Sequence, residues 1–168
     1  VKVTISGAGA AGTAISKILL MAGIKDIWVL DRHGIIHRDR KDLTPEKYEL
    51  ASITNHDNKS GSMKEAFVGR DVFIGVSGPN LVTPEMVTSM NKDSIVFTLA
   101  NPVPEIMPEE ALKAGARIVA TGRSDFPNQL NNAQVFPGVF RGALDNHVNK
   151  ITDEMKIKAA HEIAKLIK

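Results

Sequence analysis

The stretch VKVTISGAGAAGTAISKIL, Val1 to Leu19, decides the reading of the fold. Val1–Ser6 alternates apolar and polar side chains, the period-two pattern of a strand. Gly7, Gly9 and Gly12 follow at G-x-G-x-x-G spacing. Ala10–Met21 then carries Ala14, Ile18, Leu19 and Met21 at helical spacing, and Gly23 stands where a helix C-cap is expected. Strand, glycine turn and helix in that order open a βαβ unit, and the next strand, Ile27–Leu30, comes at once.

The alternation continues along the chain. A short strand is expected at Ile35–Ile36, then a helix capped by Thr44 with Pro45 at its first position. Ser62–Glu65 reads as a capping box opening a short helix through Phe67. DVFIGVSG is a strand running into a turn, and TPEMVTSM a helix capped by Thr83. SIVFTLANP, PEEALKAGA and RIVATG read as strand, helix, strand. Phe136–Pro137–Gly138 starts a further helix, and Thr152–Ile167 is amphipathic, with Met155, Ala159, Ile163 and Leu166 on one face. The pattern predicts an α/β fold: a Rossmann-like doubly wound, mostly parallel sheet with helices on both faces. No linker or repeat divides the chain, so residues 1–168 are expected to form one domain.

Composition narrows the function. Among 168 residues, 43% are hydrophobic and 24% charged, with a net charge of +2. That balance gives no basis for a nucleic-acid or membrane-surface partner. There is no cysteine, which excludes disulfides, thiolate metal sites and cysteine nucleophiles. With no basic leader and no apolar run near the roughly 20 residues of a membrane span, a cytoplasmic protein is expected.

Each glycine of the turn has a physical task. Gly7 permits the tight turn, Gly9 lets a pyrophosphate approach the backbone, and Gly12 lets helix and strand pack closely. The helix N-terminus offers unpaired N–H groups and a positive dipole end to phosphates. Asp31 closes the second strand, 19 residues beyond Gly12, where a carboxylate would accept hydrogen bonds from an adenosine ribose. The expected ligand is therefore NAD, with NADP as the alternative. Asp31 repels a 2′-phosphate; Arg32, Arg38, Arg40 and Lys41 read as a solvated basic loop just beyond it. The polar strand ends SGAGAAG, LDRHG, GVSGPN, TLANP and ATGRSD should share the carboxyl edge of the sheet, where open parallel sheets bind ligands.

The segment ATGRSDFPNQLNNAQVFPGVFRGALD carries Asn128, Asn131 and Asn132 and no long apolar run. Carboxamides can hold a carboxylate or hydroxyl without adding charge; a hydrogen-bonded structural loop is the equal alternative. The five histidines share no spacing that suggests a metal. Asp125 is expected to tie its loop to Arg123, and Met63, Met86 and Met90 to fill helix core positions.

Taken together, SGAGAAG, GVSGPN, TLANPVPEI and TGRSDFPNQLNNAQVFPGVFRGALD resemble the NAD(P)-binding domain of bacterial-type malic enzymes over nearly the whole chain. The resemblance implies oxidation of malate and its decarboxylation to pyruvate and CO2, with hydride transfer to NAD(P) and a need for Mg²⁺ or Mn²⁺. It places Gly7, Ala8, Gly9, Ala10, Ala11 and Gly12 at the phosphates and Asp31 at the ribose. It sets Ser77 and Gly78 beside the nicotinamide ribose and Asn101 near substrate and nicotinamide. Asn132 falls at the substrate carboxylate, and Asn131 beside it near the cofactor.

The family's catalytic lysine and tyrosine and its acidic metal ligands have no match here. Tyr48 is the only tyrosine, and it falls in the polar segment after the second strand. With no initiator methionine, the chain is expected to be the cofactor domain of a longer enzyme, inactive alone, whose partners are a missing N-terminal domain and a second copy in a homodimer. Two other readings remain open. One is the cofactor domain of an amino-acid or methylene-tetrahydrofolate dehydrogenase; the other is a non-enzymatic dinucleotide sensor.

Overall fold

The alternating strands resolve onto two opposite faces of one sheet. The computed structural model describes residues 1–131 and 133–166. Strands β1 (Lys2–Ser6), β2 (Asp26–Asp31), β3 (Gly34–Ile35), β4 (Val72–Gly75), β5 (Ile95–Thr98) and β6 (Ile118–Thr121) form a sheet in the order β3-β2-β1-β4-β5-β6. All pairings are parallel except β3 on β2. This two-residue antiparallel strand lies one residue earlier than the sequence pattern suggests.

Period two sorts the core. On β2, Ile27 and Val29 face a cluster with Val3, Ile5 and Ile74, while Trp28 and Leu30 face the other way toward Ala66. On β4, Phe73 leaves Ile74 and joins Phe67, Val96 and Val119. Both faces are thus apolar and both are covered. Helices α1 (Ala10–Met21) and α2 (Pro45–Ile53) contribute Ile15, Leu19 and Leu50 to the first cluster. Helices α3 (Pro84–Thr88) and α4 (Pro108–Lys113) contribute Val87 and Ala111 to the Phe73 cluster.

Local signals act as their chemistry predicts. Thr44 accepts a hydrogen bond from the Lys47 amide and caps α2. Ser62 and Glu65 close the capping box in both directions, at 2.7 Å and 3.4 Å, ahead of a 3₁₀ turn over Glu65–Phe67. Thr83 precedes α3 but makes no side-chain cap. The buried stripe of α1 differs from the expected one: Gly12 and Ser16 are buried, while Ala14 and Met21 are exposed. Ser16 tolerates the core because its hydroxyl donates to the Gly12 carbonyl at 2.7 Å.

The chain forms two compact units, Val1–Leu130 and the segment from Asn131 onward. The second contains α5 (Phe136–Asp145) and α6 (Asp153–Lys165), the latter capped by Thr152. Met155, Ala159 and Ile163 are half-buried as the amphipathic pattern requires, but Leu166 at the helix end is exposed; Ile167 lies outside the described residues. No helix among the described residues is long and apolar enough to cross a membrane.

Candidate functional site

Parallel strands bring their carboxyl ends to one edge, and the chain places its glycines there. Gly7 has φ +119°, and a Cβ on it would lie 2.6 Å from the Val76 carbonyl oxygen. A Cβ on Gly12 would lie 1.8 Å from the Gly7 carbonyl oxygen. These two positions accept only glycine, because helix and turn backbones touch. Gly9 differs: nothing lies within 4 Å of its would-be Cβ. It faces open space at the N-terminus of α1, where no side chain caps the helix and no acidic residue occupies the first turn. The first amides of α1 are left to an anion.

That space belongs to a cavity of about 950 Å³. Gly7, Ala8, Gly9, Asp31, Ser77 and Gly78 all line it. Ala10, Ala11 and Gly12 form the first turn of α1 behind it. Met63 and Leu81 add apolar wall that the sequence reading does not assign; Met63 also packs against the core, as expected. The volume and the mixture of amides, carboxylate and apolar wall suit a dinucleotide.

Asp31 is held more tightly than its position suggests. Its side chain is 7% exposed and accepts hydrogen bonds from the two terminal guanidinium nitrogens of Arg40, the Lys47 ammonium and the His33 amide, at 2.7 to 3.0 Å. Burial opposes its ionisation, but the Arg40, Lys47 and His33 hydrogen bonds outweigh burial and hold its pKa down to about 2. Arg40 also chelates Asp42, and that pair of carboxylates raises its own pKa. Arg40 is therefore no solvated loop residue: its side chain is 9% exposed and bridges two acids. Arg32, Arg38 and Lys41 are exposed. Four donors fill the roughly four lone-pair sites of the Asp31 carboxylate. A ribose hydroxyl reaches it only by displacing one, and Lys47, 29% exposed, is the donor with room to leave.

The other expected residues lie elsewhere on the edge. Asn101 sits on the exposed loop after β5, joined to Pro102 by a cis peptide. Its side chain lies over Gly122, where a Cβ would stand 3.2 Å from its Nδ2. Arg123 donates to the Pro102 carbonyl at 2.7 Å and chelates Asp125 at 2.9 and 2.6 Å, the predicted tie. Asn128 serves structure, donating to the Val119 carbonyl. Asn131 opens the second unit, exposed, its side-chain Oδ1 accepting from the Ala133 amide. Asn132 lies outside the described residues. Among the described residues no three His, Asp or Glu side chains gather as a metal site. The divalent ion implied by the sequence resemblance therefore has no ligand set in them.

The sheet order, the single antiparallel edge and the glycine turn define a Rossmann-like α/β domain. The family profile described as malic enzyme, NAD binding domain, matches residues 1–168, and the chain belongs to that family. It is 54% identical over 168 residues to the bifunctional malic/malolactic enzyme of Bacillus subtilis, covering 99% of this chain and 41% of that protein. It is 52% identical over 167 residues to the NAD-dependent malic enzyme of Geobacillus stearothermophilus, covering 99% of this chain and 35% of that protein. The crystal structure of malic enzyme from Pyrococcus horikoshii superposes with a TM-score of 0.94 at 47% identity, over 100% of this chain and 41% of that one. The chain thus spans about two fifths of the length of these relatives.

Proposed function

We propose that residues 1–168 act as the NAD(P)-binding domain of a malic enzyme, which oxidises and decarboxylates malate to pyruvate and CO2. Family membership supports the reaction, and one observation supports the domain's share in it. The cavity at the sheet's carboxyl edge brings the phosphate turn, Asp31 and the Ser77–Gly78 turn to one ligand-sized space. In this reading the Gly7–Gly12 turn and the α1 amides hold the pyrophosphate, and Asp31 orients the adenosine ribose. Ser77 and Gly78 border the nicotinamide ribose, with Asn131 near it, and Asn101 and Asn132 hold the substrate. The coenzyme, once bound, supplies the acceptor for the hydride from malate's hydroxyl carbon. The chain's own contribution is orientation. No step is assigned to a divalent ion on these residues. A cytoplasmic homodimer completes the proposal, with the remaining catalytic groups outside this sequence.

The test is binding and turnover measured separately. The 168-residue chain should bind NADH, seen as enhanced nicotinamide fluorescence, and should not reduce NAD with malate and Mn²⁺; the full-length enzyme should do both. Turnover by the chain alone, or none by the full-length enzyme, overturns the assignment. The dehydrogenase and sensor readings predict full-length proteins indifferent to malate.

The charges around Asp31 set the coenzyme preference. Asp31 and Asp42 against Arg40 and Lys47 leave no net charge in the bridged group, so repulsion of a 2′-phosphate is largely offset and NAD is preferred modestly. Lys47→Met frees a lone pair for the ribose and removes one cation. At about 1–4 kcal/mol per unit charge pair at 4 Å, this should widen the preference for NAD about tenfold. Asp31→Ser should shift it toward NADP by at least as much. Dissociation constants for both coenzymes at low and physiological salt check the pair of variants; parallel shifts of NAD and NADP in either variant would remove Asp31 from this role.

A further inference from the structure

Glu105 is the only aspartate or glutamate in the buried set of the described residues, and it is fully buried. It follows TLANPVP, a segment whose only other polar groups are Thr98 and Asn101. Its partners are backbone amides rather than cations. One carboxylate oxygen accepts from the Ser77 amide at 3.0 Å and the other from the Ala100 amide at 3.2 Å. Ser77 follows β4 and Ala100 follows β5, so a single side chain clasps two adjacent loops at the cavity's edge. Ser77 passes the link on: its hydroxyl hydrogen-bonds that of Ser6 at 2.8 Å, at the end of β1. The backbone around Glu105 is pinned as well. The Asn80 amide donates to the Pro104 carbonyl and the Val82 amide to that of Glu105, both at 3.0 Å. Room for the carboxylate comes from Gly75, the last residue of β4, where a Cβ would lie 2.3 Å from the Glu105 carboxylate carbon.

A buried carboxylate is costly unless its oxygens are bonded. Here each oxygen is spent on fixing the spacing between two loops, and the sheet gives up a side chain at Gly75 to admit it. We propose that Glu105 is a positioning residue that locks the Ser77–Gly78 turn to the Ala100–Asn101 loop, so that the nicotinamide end of the coenzyme is held at a fixed distance from the substrate-side asparagine. It touches neither ligand. The inference rests on the proposed coenzyme site and adds the element that joins its two sides. The adenosine half is held by Gly7–Gly12 and Asp31, whereas the Glu105 carboxylate bonds the Ser77 and Ala100 amides.

That division between the two halves of the coenzyme provides the test. NADH and ADP-ribose share the adenosine and pyrophosphate groups, and only NADH carries the nicotinamide. Both affinities are measured on the full chain for the wild type, Glu105→Gln and Gly75→Ala. Glu105→Gln keeps the size but presents an NH2 group to one of two amide donors. Gly75→Ala displaces the carboxylate and leaves Glu105 itself in place. In both variants NADH should weaken about tenfold while ADP-ribose stays within about twofold, since one charged hydrogen bond is at stake. The ADP-ribose affinity also reports that the domain is folded, so a merely structural loss would lower both together. Equal losses, unchanged NADH binding in both variants, or a wild type that binds the two ligands equally well overturns the clasp alone. A wild type that binds neither overturns the coenzyme reading and the clasp with it.

Discussion

Gly12→Ala should abolish measurable coenzyme binding and destabilise the domain together, whereas Gly9→Ala should abolish binding and leave stability intact. The two glycines stand three residues apart in one turn, yet their surroundings are opposite. A methyl on Gly12 meets the Gly7 carbonyl oxygen at 1.8 Å, so α1 must lift off the turn and β1. Overpacking of this kind costs about 3 kcal/mol. For a chain of this length that is a fall in Tm of roughly 6–12 °C. The movement also takes the α1 amides away from the phosphates. Loss of two charge-assisted hydrogen bonds at about 1.5–3 kcal/mol each predicts at least a 100-fold weaker NADH complex. A methyl on Gly9 meets nothing in the folded chain. Gly9 already has φ −89°, which alanine adopts freely, so Tm should move by less than about 2 °C. The methyl instead occupies the space through which a pyrophosphate approaches the backbone. Thermal denaturation and NADH titration of both variants check the contrast. Retained NADH affinity in Gly9→Ala would falsify the placement of the phosphates.

Asn101→Ala and Asn132→Ala in the full-length enzyme should each lower kcat/KM for malate by about 10- to 150-fold, the cost of about 1.5–3 kcal/mol for one hydrogen bond to a charged group. Coenzyme affinity should change by less than about threefold. Asn101 is exposed on a loop whose backbone is secured from below by Glu105 and from the side by Arg123. Removing its carboxamide should therefore delete a contact without loosening the loop. Steady-state kinetics with malate and coenzyme varied separately distinguish the two ligands. Collapse of coenzyme affinity with malate parameters unchanged would reassign Asn101 to the coenzyme.

The sequence by itself determined the parts of this protein that depend on neighbours a few residues apart. The Thr44–Pro45 cap and the Ser62–Glu65 box are short-range, with hydrogen bonds that span three residues. The glycine turn is legible for a different local reason: the positive φ of Gly7 calls for glycine. Alternation of strand-like and helix-like segments was enough to predict a parallel sheet covered on both faces, because the crossover between parallel strands is a helix that packs on the sheet. The long, specific asparagine segment carried the family resemblance.

Tertiary structure alone decided what meets across long separations. Ser16 interrupts the apolar stripe of α1, and only the docking of α1 on β1 shows that it faces inward. Arg40 reads as part of a solvated basic loop until the chain folds back and sets it, together with Lys47, on Asp31, which changes the electrostatic role of that carboxylate. Glu105 is a lone acid in an apolar run, 28 residues from Ser77, and its purpose exists only when β4 and β5 lie side by side with Gly75 between them. Propensity and periodicity act along the chain. Charge pairing and the satisfaction of buried polar groups act through space, and the fold has to be formed before they have partners.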